Sequence, residues 1–166
     1  MQGLIRRADT WLKANRPDYY ATLRPGVDDA ALDAYGARFG LVLPTAFRQL
    51  YRRRDGQDLG VDAEALVRNH MFVPLSNSAS KKEMLDGMMG SDFDDPAWWR
   101  RGWVPFTESF GGDHYCVDIA AEGGGTPGQI IDFWHDAATR KVLAPSLADW
   151  FRQLVVAMEE GRLELA

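Results

Sequence analysis

The sequence of 166 residues has little cysteine and no long hydrophobic run. Its one cysteine, Cys116, cannot form an internal disulfide or supply a cysteine-rich zinc site, and it fits a reducing compartment. No apolar run approaches the roughly 18 residues that a membrane helix needs. Residues 1–7 also lack the apolar core of a signal peptide. We therefore expect a cytoplasmic protein.

The overall composition is that of one globular domain. Hydrophobic residues make up 46% of the chain and charged residues 26%. These values are near the averages for soluble domains, and they exclude a disordered tail, a collagen-like repeat and a coiled coil. Helical patterns come first, strand patterns follow and a helical pattern closes the chain, which predicts a single α+β domain. We expect residues 1–26 to form an N-terminal helical extension and residues 27–166 to form the core.

The net charge of −5 is unevenly distributed. Residues 1–54 hold ten Lys and Arg against five Asp and Glu, whereas residues 55–166 hold nine against nineteen. Between Gly102 and Thr139 there are six acids and no Lys or Arg. Such a surface disfavours nucleic acids and anionic membranes and favours a basic protein partner. The alternative is that the acids only keep the domain soluble.

Two segments with alternating apolar residues predict neighbouring strands. Tyr115 and Val117 alternate in the first segment, and Ile131 and Phe133 alternate in the second. If the strands pair antiparallel with Val117 opposite Ile131 and Tyr115 opposite Phe133, the large apolar residues share one face. The other face would be mixed, with Cys116, Asp132 and Trp134 among its residues, and it would be partly wet or covered by a loop.

Two serines predict the starts of helices. Ser80 with Glu83 is typical of a capping box and predicts a short helix through Met88. Ser146 precedes a stripe of apolar residues at helical spacing, which predicts a C-terminal amphipathic helix. The stripe consists of Leu147, Trp150, Phe151, Leu154, Val155 and Met158.

No pattern of catalytic residues is convincing. His114 and His135 stand beside Asp113 and Asp136, and they could form a metal or general-base cluster. However, their spacing matches none of the common zinc motifs, so a structural role is favoured. Cys116 lies inside an alternating strand, where cysteine behaves as a small apolar residue. The glycine-rich segment 123–128 lacks the lysine of a phosphate loop. We expect no enzyme, no metal and no cofactor.

A loop rich in acids and tryptophan is the first candidate for a binding surface. Trp98 and Trp99 follow three aspartates, and tryptophan is enriched at binding hot spots. The alternative is that both tryptophans cover the core. With the acids of the β-rich part, the predicted partner-binding residues are Asp92, Asp94, Asp95, Trp98, Trp99, Glu108, Asp113 and Asp136.

Several short segments follow one another in a recognisable order between about residue 27 and the C-terminus. They are Leu41 to Pro44, Tyr51 to Gln57, Trp103 to Phe106, Gly111 to Asp118, Gly128 to Ile131, Phe133 to Asp136 and Ala144 to Phe151. No single segment is specific, but in this order they resemble the SUKH superfamily, which takes its name from a fungal regulator of cell-wall assembly and killer-toxin resistance.

The resemblance implies a central, mostly antiparallel sheet flanked by N-terminal helices and the C-terminal helix. Bacterial members of the superfamily are largely immunity proteins that neutralise toxins, often nucleases, and the fungal relative is a regulatory interaction protein. Our first hypothesis is an immunity protein that blocks a toxin with an acidic, aromatic-containing surface. Our second is a regulatory or scaffold module, and a third, weaker one is an enzyme or metal protein that uses His114, His135 and nearby acids. We expect a monomer or a weak homodimer.

Overall fold

The computed structural model describes residues 1–93, 95 and 97–165, which form six helices and eight short strands. The helices are α1 (Gln2–Asn15), α2 (Pro17–Thr22), α3 (Asp29–Phe39), α4 (Thr45–Arg53), α5 (Leu75–Met88) and α6 (Leu147–Glu159). The strands are β1 (Leu23–Pro25), β2 (Arg54–Gln57), β3 (His70–Phe72), β4 (Trp103–Pro105), β5 (Thr107–Ser109), β6 (His114–Asp118), β7 (Gln129–Phe133) and β8 (Lys141–Ala144).

The strands form three antiparallel sheets. The main sheet has four strands in the order β4-β6-β7-β8, and two smaller sheets pair β1 with β2 and β3 with β5. Helices from both ends of the chain flank the main sheet. The predicted single α+β domain with an antiparallel sheet is therefore confirmed. None of the described helices is both long enough and apolar enough to cross a bilayer.

The largest core lies between the helices and one face of the main sheet. Helix α1 contacts α4 and α6, and Ile5 from α1 shares the core with Phe47 from α4 and Leu154 from α6. Val117 of β6 and Ile130 of β7 supply the sheet side of this core. Residues from the first 26 positions thus pack into the same core as residues of the sheet.

The predicted register of β6 and β7 is wrong by one residue. Val117 lies opposite Ile130, and Tyr115 lies opposite Asp132. Ile131 and Phe133 consequently face the other side of the sheet. The alternation of apolar residues selects a register only where one face is buried and the other is wet. Here both faces of β6 and β7 are buried, so the pattern does not distinguish the two registers.

A second core covers the opposite face of the main sheet. Ile131 and Phe133 pack there with Cys116, Trp99 and Leu85. Leu85 belongs to α5, which begins at Leu75 rather than at Ser80 as predicted. The first turn of α5 is capped from outside the helix, because the backbone N–H of Leu75 donates to Oδ1 of Asp55 in β2 at 2.7 Å. A local sequence motif cannot predict a cap that comes from a residue distant in sequence.

Candidate functional site

An open groove of about 940 Å³ lies beside the main sheet, next to the small β3–β5 sheet. His70 of β3 and Phe110, directly after β5, line it from the small sheet. Tyr115 of β6 and Asp132 of β7 line it from the main sheet, where they lie directly opposite each other in the ladder. Trp134, directly after β7, lines it as well. We call this site the groove.

Two exposed aromatic side chains line the groove. Phe110 is 62% exposed and Trp134 is 51% exposed, and they are the only exposed aromatic side chains among the residues described. Aromatic rings are the side chains that contribute most to protein interfaces, because they bury a large area at little conformational cost. Their position at a concave site is therefore typical of a surface that binds a partner.

The inner part of the groove is polar but carries no charge on His70 or Tyr115 at neutral pH. The ring of His70 stacks on that of Tyr115 with 3.8 Å between centroids. Oγ1 of Thr107 accepts the backbone N–H of Tyr115 at 2.9 Å and lies 2.9 Å from Nδ1 of His70. Burial lowers the pKa of His70 to about 4 and raises the pKa of Tyr115 to about 12. Both side chains therefore offer neutral polar atoms rather than charges.

Asp132 is the unusual carboxylate of the groove. Its Oδ1 atom is buried and has no hydrogen-bond partner among the described residues. Burial raises the pKa of Asp132, and the indole of Trp134 together with Lys141 and Arg140 opposes this shift only in part. A buried acceptor without a donor costs free energy. Asp132 is therefore a place where a donor from outside would be stabilising.

Asp113 links the turn after β5 to the loop after β7, on two sides of the groove. Its Oδ1 accepts the backbone N–H of His135 at 3.0 Å and lies 2.8 Å from Nδ1 of His135. Its own backbone N–H donates to Oγ of Ser109 at 2.9 Å. The turn that carries Phe110 is thereby tied to the loop that carries Trp134. Partial burial disfavours the Asp113 carboxylate, but the bonds from His135 outweigh this and lower its pKa.

Few of the other predicted binding residues lie near the groove. Asp136 follows His135 and is exposed. Asp92 and Asp95 are exposed on the loop between α5 and β4, and Asp94 lies outside the described residues. Glu108 points elsewhere and forms an ion pair with Lys81 at 2.6 Å. The predicted residues therefore occupy several places rather than one surface.

Of the two tryptophans predicted to bind a partner, Trp99 is buried and Trp98 is partly buried. Trp99 is 1% exposed, and its Nε1 donates to Oδ1 of Asp86 at 2.7 Å. It cannot offer surface to a partner in this structure, because it packs edge-on against Trp103 and Phe133 in the second core. Trp98 is partly buried, and its carbonyl accepts a bond from Nη2 of Arg140 at 2.6 Å. Covering the core was the alternative that the sequence left open.

Sequence reasoning missed Phe110, Trp134 and Asp132. In the predicted register Trp134 and Asp132 belonged to a mixed face, and Phe110 preceded a glycine turn without any motif. The available signal was the placement of two bulky aromatic residues at strand ends, where no apolar stripe requires them. Their exposure became visible only when the groove was assembled from distant strands.

The histidines and the cysteine do not form a reactive centre in the described residues. Nδ1 of the buried His114 lies 2.9 Å from the carbonyl oxygen of Thr107, while His135 is exposed on a loop. Burial lowers the pKa of His114 and raises the pKa of the Cys116 thiol, so the reactive thiolate is disfavoured. Within the described part of the chain, no three His, Cys, Asp or Glu side chains are grouped to hold a metal ion.

The charge asymmetry of the sequence is only partly kept in the fold. Four arginines of the first 54 residues form ion pairs with acids of the remainder, through Arg7–Glu159, Arg16–Glu64, Arg24–Asp55 and Arg38–Glu83. In contrast, Asp132 and Asp136 form no ion pair with any described residue. The unneutralised acids of the β-rich part thus include two in or near the groove.

Comparison with known proteins relates the chain to fungal regulators. It is 24% identical over 180 residues to a cell wall biosynthesis and cell cycle regulator of Schizosaccharomyces pombe, with 95% of this chain and 36% of the relative covered. It is 24% identical over 215 residues to KNR4/SMI1 homolog 2 of Debaryomyces hansenii, with 99% and 36% covered.

A glucan synthesis regulatory protein of Neurospora crassa is 23% identical over 201 residues, with 94% of this chain and 38% of the relative covered. The chain therefore spans little more than a third of the length of these relatives. A family model, described as SMI1 / KNR4 family (SUKH-1), matches residues 26–153. This match covers most of the sheet and helices around the groove, and the chain belongs to the SMI1/KNR4 (SUKH-1) family.

Proposed function

We propose that the chain is a non-catalytic protein-binding module with a regulatory role, and that the groove is its binding surface. The observation that carries the proposal is the pair of exposed aromatic side chains, Phe110 and Trp134, beside an open concave site. Catalysis has little support, because Cys116, His70 and His114 are buried and the exposed His135 is paired with Asp113. The regulatory role is supported by the names of the fungal relatives, which describe regulators of cell wall or glucan synthesis.

A second candidate is neutralisation of a toxin, often a nuclease in the SUKH superfamily. One observation favours it: Asp132 and Asp136 have no cationic partner in the described residues, so part of the acidic surface is free to face a basic cleft. Co-expression with an effector encoded beside this gene tests this candidate. Binding and protection of the host cell would support it, and their absence would exclude that effector.

The binding-module proposal is tested by affinity capture in cells that carry the gene. Three versions of the chain are compared: the wild type, Phe110→Ser/Trp134→Ser, and the control Val42→Ser/Val61→Ser. Val42 and Val61 are also exposed apolar side chains, but they lie outside the groove. Truncating exposed side chains has little effect on folding, so all three versions should remain folded.

We expect the wild type and the control to retain the same partner protein, and the groove variant to retain at least about tenfold less, the effect of losing two aromatic anchors. Circular dichroism checks that all three versions are folded. Equal capture by all three would refute the groove as the binding surface. Capture lost only in the control would place the binding surface around Val42 and Val61 instead.

A further inference from the structure

We propose that the groove binds an arginine side chain from a basic segment of a partner protein. The guanidinium group would lie against the rings of Phe110 and Trp134 and donate hydrogen bonds to Asp132. This inference rests on the proposed function and specifies the chemistry of the partner. It is carried by the aromatic side chains, by the unpartnered carboxylate oxygen and by the way the opposite face of the same sheet already holds cations.

The aromatic side chains favour a flat cation. A guanidinium group is planar and weakly hydrated, and it stacks on aromatic faces more readily than an ammonium group does. Phe110 and Trp134 both line the groove and both leave more than half of their surface exposed. A partner that covers these rings would remove exposed apolar area from water and would bring its cation close to their π-faces.

The unpartnered carboxylate gives the cation a hydrogen-bond acceptor. Oδ1 of Asp132 is buried without a donor, and Asp132 lies beside Trp134. Charge-assisted hydrogen bonds from arginine to a carboxylate are among the strongest that side chains form. Oδ1 is closed to solvent in the unbound chain, so a guanidinium reaches it only when a neighbouring side chain of the groove moves aside. It would then supply the donor that Oδ1 does not have among the described residues.

The charged groups around Asp132 leave room for an external cation. Arg68 is occupied by Glu164 at 2.8 Å, and Asp113 is occupied by His135. Lys141 lies opposite Asp132 on β8, but the two side chains form no ion pair within 4.0 Å. Lys141 is exposed and can turn towards water when a partner binds. The partner's cation would therefore compete at Asp132 with the flexible ammonium group of Lys141, the indole N–H of Trp134 and the more distant charge of Arg140.

The opposite face of the main sheet holds an arginine of the chain itself among aromatic rings. There the guanidinium of Arg140 lies 4.5 Å from the centre of the Phe133 ring and 5.5 Å from that of Trp98. Nη2 of Arg140 donates to the carbonyl of Trp98, while its Nε has no partner among the described residues. The fold thus already places one guanidinium beside aromatic rings, and the groove offers aromatic rings together with a carboxylate.

The test uses two synthetic peptides and the full chain. Both peptides are acetylated and amidated Ala-X-Ala-X-Ala sequences, in which X is arginine in one and its neutral isostere citrulline in the other. Binding is followed by the indole N–H resonance of Trp134, which is assigned among the six tryptophans by its loss in Trp134→Phe. We expect the arginine peptide to shift this resonance saturably, with a Kd on the order of 1 mM for so short a ligand.

Two matched variants locate the binding site. Asp132→Asn should weaken the arginine peptide at least about tenfold, because a charge-assisted hydrogen bond is lost. Asp136→Asn removes an exposed carboxylate that does not line the groove, and it should leave the Kd nearly unchanged. The citrulline peptide should give no saturable shift. Raising the salt concentration should weaken the arginine peptide, because exposed parts of the pair are screened.

Three results would overturn the inference: no shift by the arginine peptide, equal shifts by both peptides, or equal weakening by Asp132→Asn and Asp136→Asn. The last result would mean that the peptide binds to a diffuse acidic surface rather than to a site for one arginine side chain. The inference can also fail while the proposed function stands. If the capture experiment depends on Phe110 and Trp134 while Asp132→Asn has no effect on capture or on peptide binding, the groove is a protein-binding surface for a partner without the arginine.

Discussion

The two faces of the main sheet use the same kinds of side chain with opposite results. On one face Trp99 lies beside Lys82 and Asp86 of α5; Trp99 and Lys82 are closed to water, and Asp86 is partly buried. On the other face Trp134 and Asp132 lie in an open groove. Both sites have an indole ring and a carboxylate, but only the closed site has a buried cation. The comparison indicates that a cation of the chain itself, Lys82, satisfies the carboxylate at the closed site.

The closed face is satisfied by several contacts of Lys82. Its ammonium group donates to Oδ1 of Asp86 at 3.2 Å and to the carbonyl of Arg101 at 2.6 Å. It also lies 5.2 Å from the ring of Phe39 and 5.9 Å from that of Trp99. Burial lowers the pKa of Lys82, and the neighbouring Asp86 opposes this shift. The cost of burying a charge is thereby offset by a partner and by acceptors.

The largest difference in the free energy of unfolding is expected between variants of Trp99 and of Trp134. Trp99→Ala should lower the free energy of unfolding by about 3–5 kcal/mol, because it opens a cavity in the second core and leaves Asp86 with Lys82 in place of two donors. Trp134→Ala should change it by about 0.5 kcal/mol or less, because the ring is half exposed. Urea denaturation measures both values. Similar losses in the two variants would mean that the groove is part of the stabilising core.

An intermediate effect is expected for the buried cation. Lys82→Met should lower the free energy of unfolding by about 3 kcal/mol, because the Asp86 carboxylate loses its ionic partner in a buried site. The double variant Lys82→Met/Asp86→Asn should recover part of this loss, since the uncompensated charge is removed. Lys13→Met, on the exposed side of α1, is the control and should have almost no effect. Urea denaturation at pH 7 compares the variants, and a double variant less stable than Lys82→Met would contradict the account.

The smallest expected effect is a gain in stability on replacing Asp132 of the groove. Because the pKa of Asp132 is raised in the folded state, its ionised form lowers stability above that pKa, and protonation removes the cost at lower pH. Asp132→Asn should therefore stabilise the chain at pH 7, by less than about 1 kcal/mol because water screens the half-exposed carboxyl. The gain should shrink as the pH falls towards 4. Thermal unfolding of the wild type, Asp132→Asn and Asp136→Asn at both pH values checks the sign, and a destabilised Asp132→Asn would show that the carboxylate already has a stabilising partner.

Local features of the sequence anticipated the fold class and the start of α6, and both ends of α3 are equally local. Oδ1 of Asp28 caps α3, Gly40 ends α3 in the left-handed conformation, and Oγ of Ser146 caps α6. Each of these depends on groups within a few residues of one another, so a motif describes it completely. The start of α5 was mispredicted for the opposite reason, because its cap comes from Asp55 in a different strand.

The candidate site was anticipated less well than the fold. Acidic residues and tryptophans were recognised as binding candidates, and Asp113 does line the groove. Trp99 and Trp134 cannot be distinguished by residue type, since the same indole ring is a core lid at one position and an exposed side chain at the other. Which of the two is covered depends on where α5 packs, and the residues next to each tryptophan do not predict that packing.

Residue type and local spacing were enough to predict helices followed by strands and a last helix, the lack of an internal disulfide, and the excess of acids after residue 54. The register of β6 against β7, the ion pairs of four N-terminal arginines and the opening of the groove are seen only in the folded chain. Burial, charge pairing and exposure depend on distances between residues far apart in sequence, which local patterns do not specify. The buried Oδ1 of Asp132, which has no donor among the described residues, results from those distances.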